Sequence, residues 1–478
     1  MRQDGGSAAE RREETAYEPD PRRWRILAVT LLIGFMSLLD VTIVNVAVPS
    51  IRAGLGTSAA TVQWVVSGYA LAFGMTLVAG GRLGDAHGRR RFMTLGLIGF
   101  VVSSAAVGLA PGPATIILAR LAQGASAGLL TPQSSGLIQQ LFRGGERGRA
   151  FGMFGFTVAV ASGTGPLIGG ALIALLGEEN GWRSLFLVNV PLGLVALVLI
   201  RRLIPDNVHD GGRDPRIDLP GALLLGLTVL AVLYPLISLE AGPGPSLLLL
   251  LAAPPLAWAF VRWEQHTVGR GHPPLLDVSL LRTLPGYANG LLVGTLYFTG
   301  FTGIFLVLSV HLQEGAGLSP LRAALLLTPF ALGAATTSLL AGRLVGRIGR
   351  RVTLLALSVM ITGTALAAWL VTSPSGALWW TLAPAMFLAG VGGGGVISPN
   401  FTLTLAQVPP RMGGAAGGAL QTGQRIGSAL GAALLMTVYS ASLGFTSPEV
   451  AARAALVVAL VVLVVALAAA VRSWRHGD

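Results

Sequence analysis

The sequence predicts an all-α membrane protein in which two six-helix bundles and two inserted helices give fourteen transmembrane helices. Apolar residues make up 53% of the 478 residues and charged residues only 11%, too few to cover a water-soluble protein of this size. Fourteen apolar runs reach the length of about 20 residues that a helix needs to cross a bilayer. Several segments of the first half recur in the second, which indicates duplicated bundles.

Each apolar run is expected to form one spanning helix, and short polar or glycine-rich segments separate most of them. Five prolines crowd residues 234–256, at the end of the seventh run and the start of the eighth. The runs cover residues 26–48, 62–82, 92–110, 113–138, 150–175, 184–201, 219–239, 246–263, 287–311, 321–345, 352–372, 377–405, 414–441 and 451–471.

These runs divide the chain into five parts. The polar segment at the start has no apolar period and is expected to be a disordered tail. A polar linker follows the sixth run and leads into the inserted helices. The parts are a cytoplasmic tail (1–25), an N-terminal six-helix bundle (26–201), a linker with the two inserted helices (202–286), a C-terminal six-helix bundle (287–471) and a second cytoplasmic tail (472–478).

The arginines predict how the chain lies in the membrane. All 33 basic residues are arginine, and most lie in alternate loops, as Arg82, Arg143 and Arg201 do. Because positively charged loops stay in the cytoplasm, we expect both termini there, in a multi-pass protein of the bacterial inner membrane. The charge is spread over many loops, so a lipid surface is the expected partner and nucleic acid is not.

Reactive groups are scarce in the sequence. The absence of cysteine excludes disulfides and thiolate metal sites. The sequence contains no phosphate-binding loop with its lysine, no Ser–His–Asp grouping and no histidines at metal-ligand spacing. We therefore expect neither an enzyme nor a bound metal or cofactor, and transport through this chain would draw on an ion gradient.

A charged loop motif occurs twice, between the second and third runs of each half. Residues 81–91 read GRLGDAHGRRR, and residues 342–351 read GRLVGRIGRR, with Gly346 in place of Asp85. Spans 1–6 and 9–14 are therefore expected to be parallel copies, an architecture typical of transporters with a central cavity. The lost acid indicates that the copies differ in role. Two further pairs of segments align: 149–169 with 411–431, and 131–133 with 398–400.

Four motifs, in order and on the expected spans, resemble the major facilitator superfamily, specifically its fourteen-span drug:proton antiporters. Two positions depart from the family pattern: Ala86 stands where an arginine is usual, and Ala161 replaces a glycine that leads the fifth-span motif. The resemblance covers nearly everything after the N-terminal tail and implies the major facilitator fold. The motifs are LDVTIVNVAVP at 39–49, the loop at 81–91, RLAQG at 120–124 and the exporter-type GPLIGG at 165–170.

Asp40 and Arg120 are the expected proton-coupling residues. Each is an ionisable side chain deep in an apolar span, which costs about 2.5–3.5 kcal/mol on insertion scales and marks functional residues. Burial penalises a charged carboxylate, and a nearby arginine opposes that penalty. The alternatives are a packing acid hydrogen-bonded to Asn45 or a neighbouring span, and a structural arginine satisfied by carbonyls. Gln123 is compatible with either role.

The expected substrate cavity combines polar and aromatic side chains from both halves. Aromatic walls bind flat lipophilic molecules without fixed polar geometry, and the alternative for each ring is packing or lipid contact. Arg425 either faces the cavity and favours an anionic or polyphenolic substrate, or is a buried structural charge. The expected lining residues are Asn45, Trp64, Tyr69, Gln123, Tyr297, Phe298, Phe301, Phe305, Asn400 and Arg425.

The first loop motif is expected to form a latch on the cytoplasmic side. Asp85 would cap a helix start or pair with an arginine such as Arg143 or Arg147, and the glycines would permit a sharp turn. For the arginines at 89–91, plain anchoring at the membrane surface is the favoured interpretation. The latch residues are Gly81, Asp85, Gly88, Arg89 and Arg90.

The exporter-type motif in the fifth span is expected to shape a cavity wall. Small residues at Gly165, Gly169 and Gly170 allow close helix packing, and Pro166 bends the span. The resemblance implies a proton-coupled exporter of lipophilic small molecules, drugs or antibiotics, that works by alternating access. The alternative is a proton-coupled symporter for uptake of a small metabolite. A substrate molecule, protons and the bilayer are the expected partners of a monomer.

Overall fold

The structure, a computed structural model, describes residues 19–177, 181–205, 218–239 and 244–475. Across those ranges all regular structure is helical, and fourteen helices are long and apolar enough to cross a membrane, which confirms the predicted fold class. The α-helices are α1 (Arg23–Leu55), α2 (Ala59–His87), α3 (Arg89–Gly108), α4 (Pro113–Leu141), α5 (Gly144–Leu176), α6 (Gly181–Leu187), α7 (Asn189–Leu203), α8 (Leu219–Ser238), α9 (Ala253–Gly269), α10 (Leu280–Thr283), α11 (Pro285–Val310), α12 (Pro320–Ile348), α13 (Arg351–Leu370), α14 (Leu378–Thr404), α15 (Gly413–Leu443) and α16 (Pro448–Arg475).

Three spans depart from a single uniform α-helix. Span 6 consists of α6 and α7, which meet at Val188. Span 8 begins as a 3₁₀ helix over Pro245–Ala252 and continues as α9. Span 9 consists of α11 and a π-helical turn over His311–Gly315. Apolar runs predict that a segment crosses the membrane, but they carry no information about these local changes of helix type.

The ends of the first and last spans also differ from the predicted tails, because α1 begins at Arg23 and α16 continues to Arg475. Arg23 Nη2 donates to Glu146 Oε1 at 3.0 Å, and the Trp24 ring lies edge-on to Phe142 with centroids 4.8 Å apart. These contacts with α5 and the end of α4 order the chain before the apolar run starts. The other domain boundaries stay a prediction.

The two halves repeat one packing pattern. In the first half α2 and α3 pack on α4, and α1 packs on α5. In the second half α12 and α13 pack on α14, and α11 packs on α15. Spans 9–14 therefore repeat the contacts of spans 1–6 in the same order, as the aligned sequence segments predict.

One end of the bundle carries both described chain ends, and we call the end with Arg23 and Arg475 the termini face. An even number of spans brings the start of α1 and the end of α16 to this same side. Arg350, in the second copy of the loop motif, donates to the Ser473 hydroxyl near the end of α16. Both copies of the loop motif therefore lie on the termini face.

The halves meet backbone to backbone near the termini face. A Cβ atom on Gly81 of α2 would stand 2.2 Å from the carbonyl oxygen of Gly414 in α15. A Cβ atom on Gly148 of α5 would stand 2.5 Å from the carbonyl oxygen of Gly342 in α12. Because only glycine permits these approaches, the seam between the halves is closed at this face.

The inserted helices α8 and α9 pack on each other, and α8 lies against α2 and α15, where the halves meet. Leu233 of α8 occupies the space beside Gly74 of α2, where an added Cβ would stand 2.7 Å from the leucine Cδ1. Leu71 of α2 and Ile426 of α15 belong to the same apolar cluster. The inserted pair therefore covers one side of the seam.

Candidate functional site

Asp40 of α1 and Arg120 of α4 form an ion pair inside the first half. Arg120 Nη1 donates to Asp40 Oδ2 at 2.6 Å, and each residue is only 1% exposed. The structure thus brings together the two ionisable residues that the sequence singled out on separate spans. Removing either partner would leave the other charge buried and uncompensated, which costs about 3–5 kcal/mol in soluble proteins.

Two neutral amide side chains complete the hydrogen bonding to Asp40, and a serine hydroxyl accepts from both amides. Gln123 Nε2 and Asn189 Nδ2 each donate to Asp40 Oδ1 at 2.9 Å. Both amides also donate to the hydroxyl of Ser104, at 2.6 and 3.3 Å respectively. Asp40 therefore accepts hydrogen bonds on both carboxylate oxygens.

The guanidinium of Arg120 is held on its other sides by a carbonyl and two rings. Its Nε donates to the Val65 carbonyl oxygen of α2 at 2.9 Å. Its carbon lies 4.3 Å from the Tyr69 ring centroid and 5.4 Å from that of Phe186, within the range of cation–π attraction. Arg120 thus has both the ionic partner expected for coupling and the carbonyl partner of the structural alternative.

We call Asp40, Ser104, Arg120, Gln123 and Asn189 the buried charge cluster. Its members come from α1, α3, α4 and the start of α7, so they all belong to the first half. Ser104 and Asn189 were missed as site residues from the sequence. The break between α6 and α7 at Val188 places Asn189 at a helix start, a signal that hydropathy does not contain.

The termini face carries a second ion pair, between Asp85 and Arg89. Arg89 Nη2 donates to Asp85 Oδ1 at 2.7 Å, and the two side chains are 4% and 0% exposed. The Asp85 carboxylate also accepts the backbone N–H groups of Gly414 and Ala415, at 3.1 and 2.9 Å. Asp85 therefore caps the first turn of α15, a helix of the opposite half, where the helix dipole favours an anion.

Arg89 is a seam residue, and its interpretation as a plain surface anchor is wrong. It is 3% exposed, and it donates to the carbonyl oxygen of Pro410 in the second half at 2.7 Å. Arg90 is half-buried and donates to the Arg201 carbonyl oxygen at 3.2 Å. The sharp turn occurs at Gly88, which ends α2 with a φ of 102°, a value that glycine adopts readily.

Comparison with known proteins agrees with this architecture. The family model described as Major Facilitator Superfamily matches residues 30–432. The chain belongs to the major facilitator superfamily.

Several curated relatives are similar over most of their length. The probable actinorhodin transporter of Streptomyces coelicolor is 38% identical over 438 residues, 90% of this chain and 75% of that protein. The puromycin resistance protein of Streptomyces alboniger is 39% identical over 425 residues, 88% of this chain and 82% of that protein. The tetracenomycin C resistance and export protein of Streptomyces glaucescens is 30% identical over 438 residues, 90% of this chain and 78% of that protein.

Solved structures share the fold at low sequence identity. The human organic anion transporter MFSD10 superposes with a TM-score of 0.69 at 17% identity, covering 94% of this chain and 100% of that one. The proton:xylose symporter XylE superposes with a TM-score of 0.63 at 16% identity, covering 92% of this chain and 94% of that one. Both comparisons support the major facilitator fold.

The aromatic residues expected at the substrate cavity fall into two groups in this major facilitator chain. Tyr297, Phe298, Phe301 and Phe305 of α11 form a continuous set of ring contacts, with Tyr297 stacked on Phe301 at 5.7 Å. Tyr297 is 1% exposed and donates its hydroxyl proton to the Gly393 carbonyl oxygen. The three phenylalanines are half-buried.

The second aromatic group lies between the first half and the inserted helices. Trp64 of α2 is 38% exposed, and its ring is 5.7 Å from that of Tyr234 in α8. The two rings line a cavity of about 170 Å³ together with Gln63 and Ser67. Tyr69, by contrast, faces Arg120.

Arg425 lies at the seam between the halves. Its guanidinium carbon is 4.5 Å from the ring centroid of Phe73 in α2, and the residue is half-buried. Asn400 is 6% exposed and donates to the Gly290 carbonyl oxygen, within the second half. Asn45 lies on α1, but its side chain is outside the described part of the structure.

The exporter-type motif of α5 packs against α1. A Cβ atom on Gly165 would stand 2.0 Å from Oγ1 of Thr42, two residues after Asp40. Gly169 is buried, whereas a Cβ atom on Gly170 would meet nothing within 4 Å. Pro166 lies within the helix, which continues to Leu176. Close helix packing in this motif therefore depends on Gly165, next to the helix turn that carries Asp40.

Gly165→Ala and Gly170→Ala form a matched pair of variants. We expect Gly165→Ala to destabilise the fold by about 1–3 kcal/mol, because the methyl group overpacks the α1–α5 contact. Gly170→Ala is expected to be neutral or to stabilise by up to about 1 kcal/mol, since alanine is the better helix former. Thermal unfolding of both purified proteins in one detergent tests this, and equal unfolding midpoints would contradict it.

Proposed function

We propose that this chain exports lipophilic, antibiotic-type small molecules across a bacterial cell membrane in exchange for protons, with the termini face in the cytoplasm. The buried charge cluster carries this proposal, because it holds one carboxylate, Asp40, out of contact with water in an apolar span. An ionisable residue in an apolar span lowers the stability of the protein, and such residues therefore usually have a function. The export and resistance names of the Streptomyces relatives support the direction of transport.

Proton exchange at Asp40 supplies the coupling step. In the described conformation Arg120, Gln123 and Asn189 all donate hydrogen bonds to Asp40. When the cluster opens to the outside, Asp40 takes up a proton, Arg120 loses its counter-charge, and substrate release is favoured. Opening toward the cytoplasm returns the proton to water and restores the ion pair. The two protonation states thus stabilise different conformations.

The seam at the termini face supplies the gate. Asp85 holds the first turn of α15, and Arg89 holds the Pro410 carbonyl oxygen. These contacts join the halves only while the termini face is closed, so opening it breaks them. The latch residues are therefore assigned a conformational role and contact no substrate.

The substrate contacts are assigned to the seam and to the aromatic groups on either side of it. Arg425 offers a half-buried cation facing the first half, which favours a neutral or weakly acidic aromatic compound over a dication. The phenylalanines of α11 and the Trp64–Tyr234 cavity offer flat apolar surfaces. We assign no enzymatic activity to the chain and propose that it works as a monomer.

A drug-susceptibility panel in an efflux-deficient bacterial host tests the function. We expect cells that express the chain to tolerate several-fold higher concentrations of at least one aromatic antibiotic, with puromycin and aromatic polyketides in the panel. A proton uncoupler should abolish the associated efflux, because the gradient supplies the energy. Efflux that survives the uncoupler would contradict proton coupling, and tolerance without efflux would contradict export.

Proton-coupled symport of a metabolite is the second candidate function, because the solved structures that share the fold include a proton:xylose symporter. Transport driven by a proton gradient in inverted membrane vesicles separates the two. An antiporter accumulates the compound when the vesicle interior is acidified, whereas a symporter releases it.

A further inference from the structure

One buried carboxyl group of the inserted helices takes no part in the proposed mechanism. Glu264, on α9 near the termini face, has 0% of its surface exposed. Neither of its carboxylate oxygens has a hydrogen-bond partner among the described residues. The backbone N–H groups of Leu275 and Leu276 lie nearby without reaching hydrogen-bond geometry. An ionised carboxylate here would lack both water and donors.

A second carboxylate, that of Asp218, lies close to the carboxyl group of Glu264. Asp218 caps α8, and its Oδ1 accepts the Gly221 backbone N–H at 2.9 Å and the Trp263 indole N–H at 2.8 Å. A Cβ atom on Gly221 would stand 2.4 Å from Asp218 Oδ2 and 2.7 Å from Glu264 Oε1. Since both distances start from one point, these two oxygens are at most about 5 Å apart.

Burial from water and a nearby negative charge both disfavour the ionised form of Glu264. Asp218 has the donors and the helix N-terminus that stabilise a negative charge, and Glu264 has neither. The charged groups whose fields reach Glu264 are Asp218 and Asp277, both negative. The buried residues that α2 and α15 contribute to the apolar cluster around Phe260 of α9 are Val78 and Ala419. We propose that Glu264 binds a proton shared with Asp218, at a site separate from Asp40.

This second proton site lies beside the seam between the halves. Val78 of α2 and Ala419 of α15 belong to one apolar cluster with Phe260, Leu275 and Leu276. Phe260 lies one helical turn before Glu264, and the two leucines follow α9. A protonated Glu264 allows this cluster to pack without an uncompensated charge. Loss of the proton would draw water to Glu264 and loosen the packing of the cluster. The protonated site therefore stabilises the closed termini face and acts as a brace.

Infrared difference spectroscopy of the purified full chain tests proton binding without any substrate. We expect the spectrum of the wild type minus that of Glu264→Gln to contain the C=O band of a protonated carboxyl group at neutral pH. Glu314→Gln, which replaces an exposed carboxylate, serves as the matched control and should remove a carboxylate band. A carboxylate band in the Glu264→Gln difference would overturn the proposal.

Asp218→Asn keeps Glu264 and tests the shared site independently, since asparagine also caps helices. Without the neighbouring negative charge, we expect the Glu264 band to disappear at lower pH than in the wild type. An unchanged midpoint would overturn the sharing of the proton. Neither measurement depends on export, so a failure of this inference is distinguishable from a failure of the proposed function.

Because the chain contains no cysteine, a pair of introduced cysteines can report how closely the two halves pack at this apolar cluster. Val78→Cys and Ala419→Cys introduce one thiol on each side of the seam. With an added oxidant to accept the two electrons, the rate of disulfide formation between them rises with pH in any background as the thiols ionise. We expect the ratio of this rate in the double-cysteine protein to the rate in the same protein with Glu264→Gln to change with pH. The same pH dependence with and without Glu264 would overturn its role as a brace.

Discussion

Asp40→Asn is expected to abolish gradient-driven efflux while leaving the protein folded in the membrane. Asparagine has nearly the same shape and can still accept a hydrogen bond from Arg120. It removes the counter-charge of that arginine at a cost of about 3–5 kcal/mol, which we expect the packing of the fourteen helices to tolerate. It has no proton to exchange, so the two conformations no longer respond to the proton gradient. The measurement is uncoupler-sensitive efflux of whichever panel compound the wild type exports best, and it should fall at least about tenfold, or 1.4 kcal/mol.

Two controls separate lost coupling from lost folding or binding. Glu314→Gln removes an exposed carboxylate and should transport like the wild type. Asp40→Asn should still exchange labelled for unlabelled compound across vesicles, because exchange needs conformational change but no net proton movement. Undiminished gradient-driven efflux in Asp40→Asn would show that this residue does not couple transport to protons.

Gly342→Ala is expected to hold the termini face open. Its Cβ would stand 2.5 Å from the Gly148 carbonyl oxygen and 2.6 Å from the Gly152 Cα. Both are backbone atoms, which cannot rotate away, so the two halves must separate to admit the methyl group. Overpacking of this kind costs about 1–3 kcal/mol, enough to raise the open population by roughly tenfold. Export should slow accordingly, because the closed state becomes hard to reach.

A single cysteine at Ser398 reports this opening. Ser398 has 0% of its surface exposed and lies beside the Gly148 carbonyl oxygen, so Ser398→Cys should react slowly with a water-soluble maleimide. Adding Gly342→Ala should raise the reaction rate about tenfold. Gly145→Ala is the matched control, since its Cβ would meet nothing within 4 Å. Equal labelling rates in both backgrounds would show that the glycine contact does not set the gate.

Much of the fold was predictable because the membrane imposes a strong pattern. The apolar runs gave all fourteen spans, and the aligned segments gave the parallel halves. Asp40 and Arg120 were recognisable because charges within apolar runs are rare. Their direct contact could not be derived, since no periodicity specifies which side chains of two separate spans meet.

The remaining contacts depend on tertiary packing that short-range patterns do not encode. Asn189 reaches Asp40 only because span 6 breaks at Val188. Arg89 resembles any other loop arginine in sequence, but the approach of α15 buries it against Pro410. Glu264 lies just beyond the predicted eighth run, where a charged residue is ordinary in sequence. Only the assembled helices bury it.

The one-sided placement of the buried charge cluster has an evolutionary consequence. Every member lies in the first half, whereas α11 of the second half contains Tyr297, Phe298, Phe301 and Phe305 and no carboxyl side chain. Under the proposed mechanism, substitutions on α11 would therefore change which compounds are exported and leave the proposed proton-coupling residues intact. A lineage could then acquire resistance to new compounds through mutations in the second half alone, while it inherits the buried charge cluster unchanged.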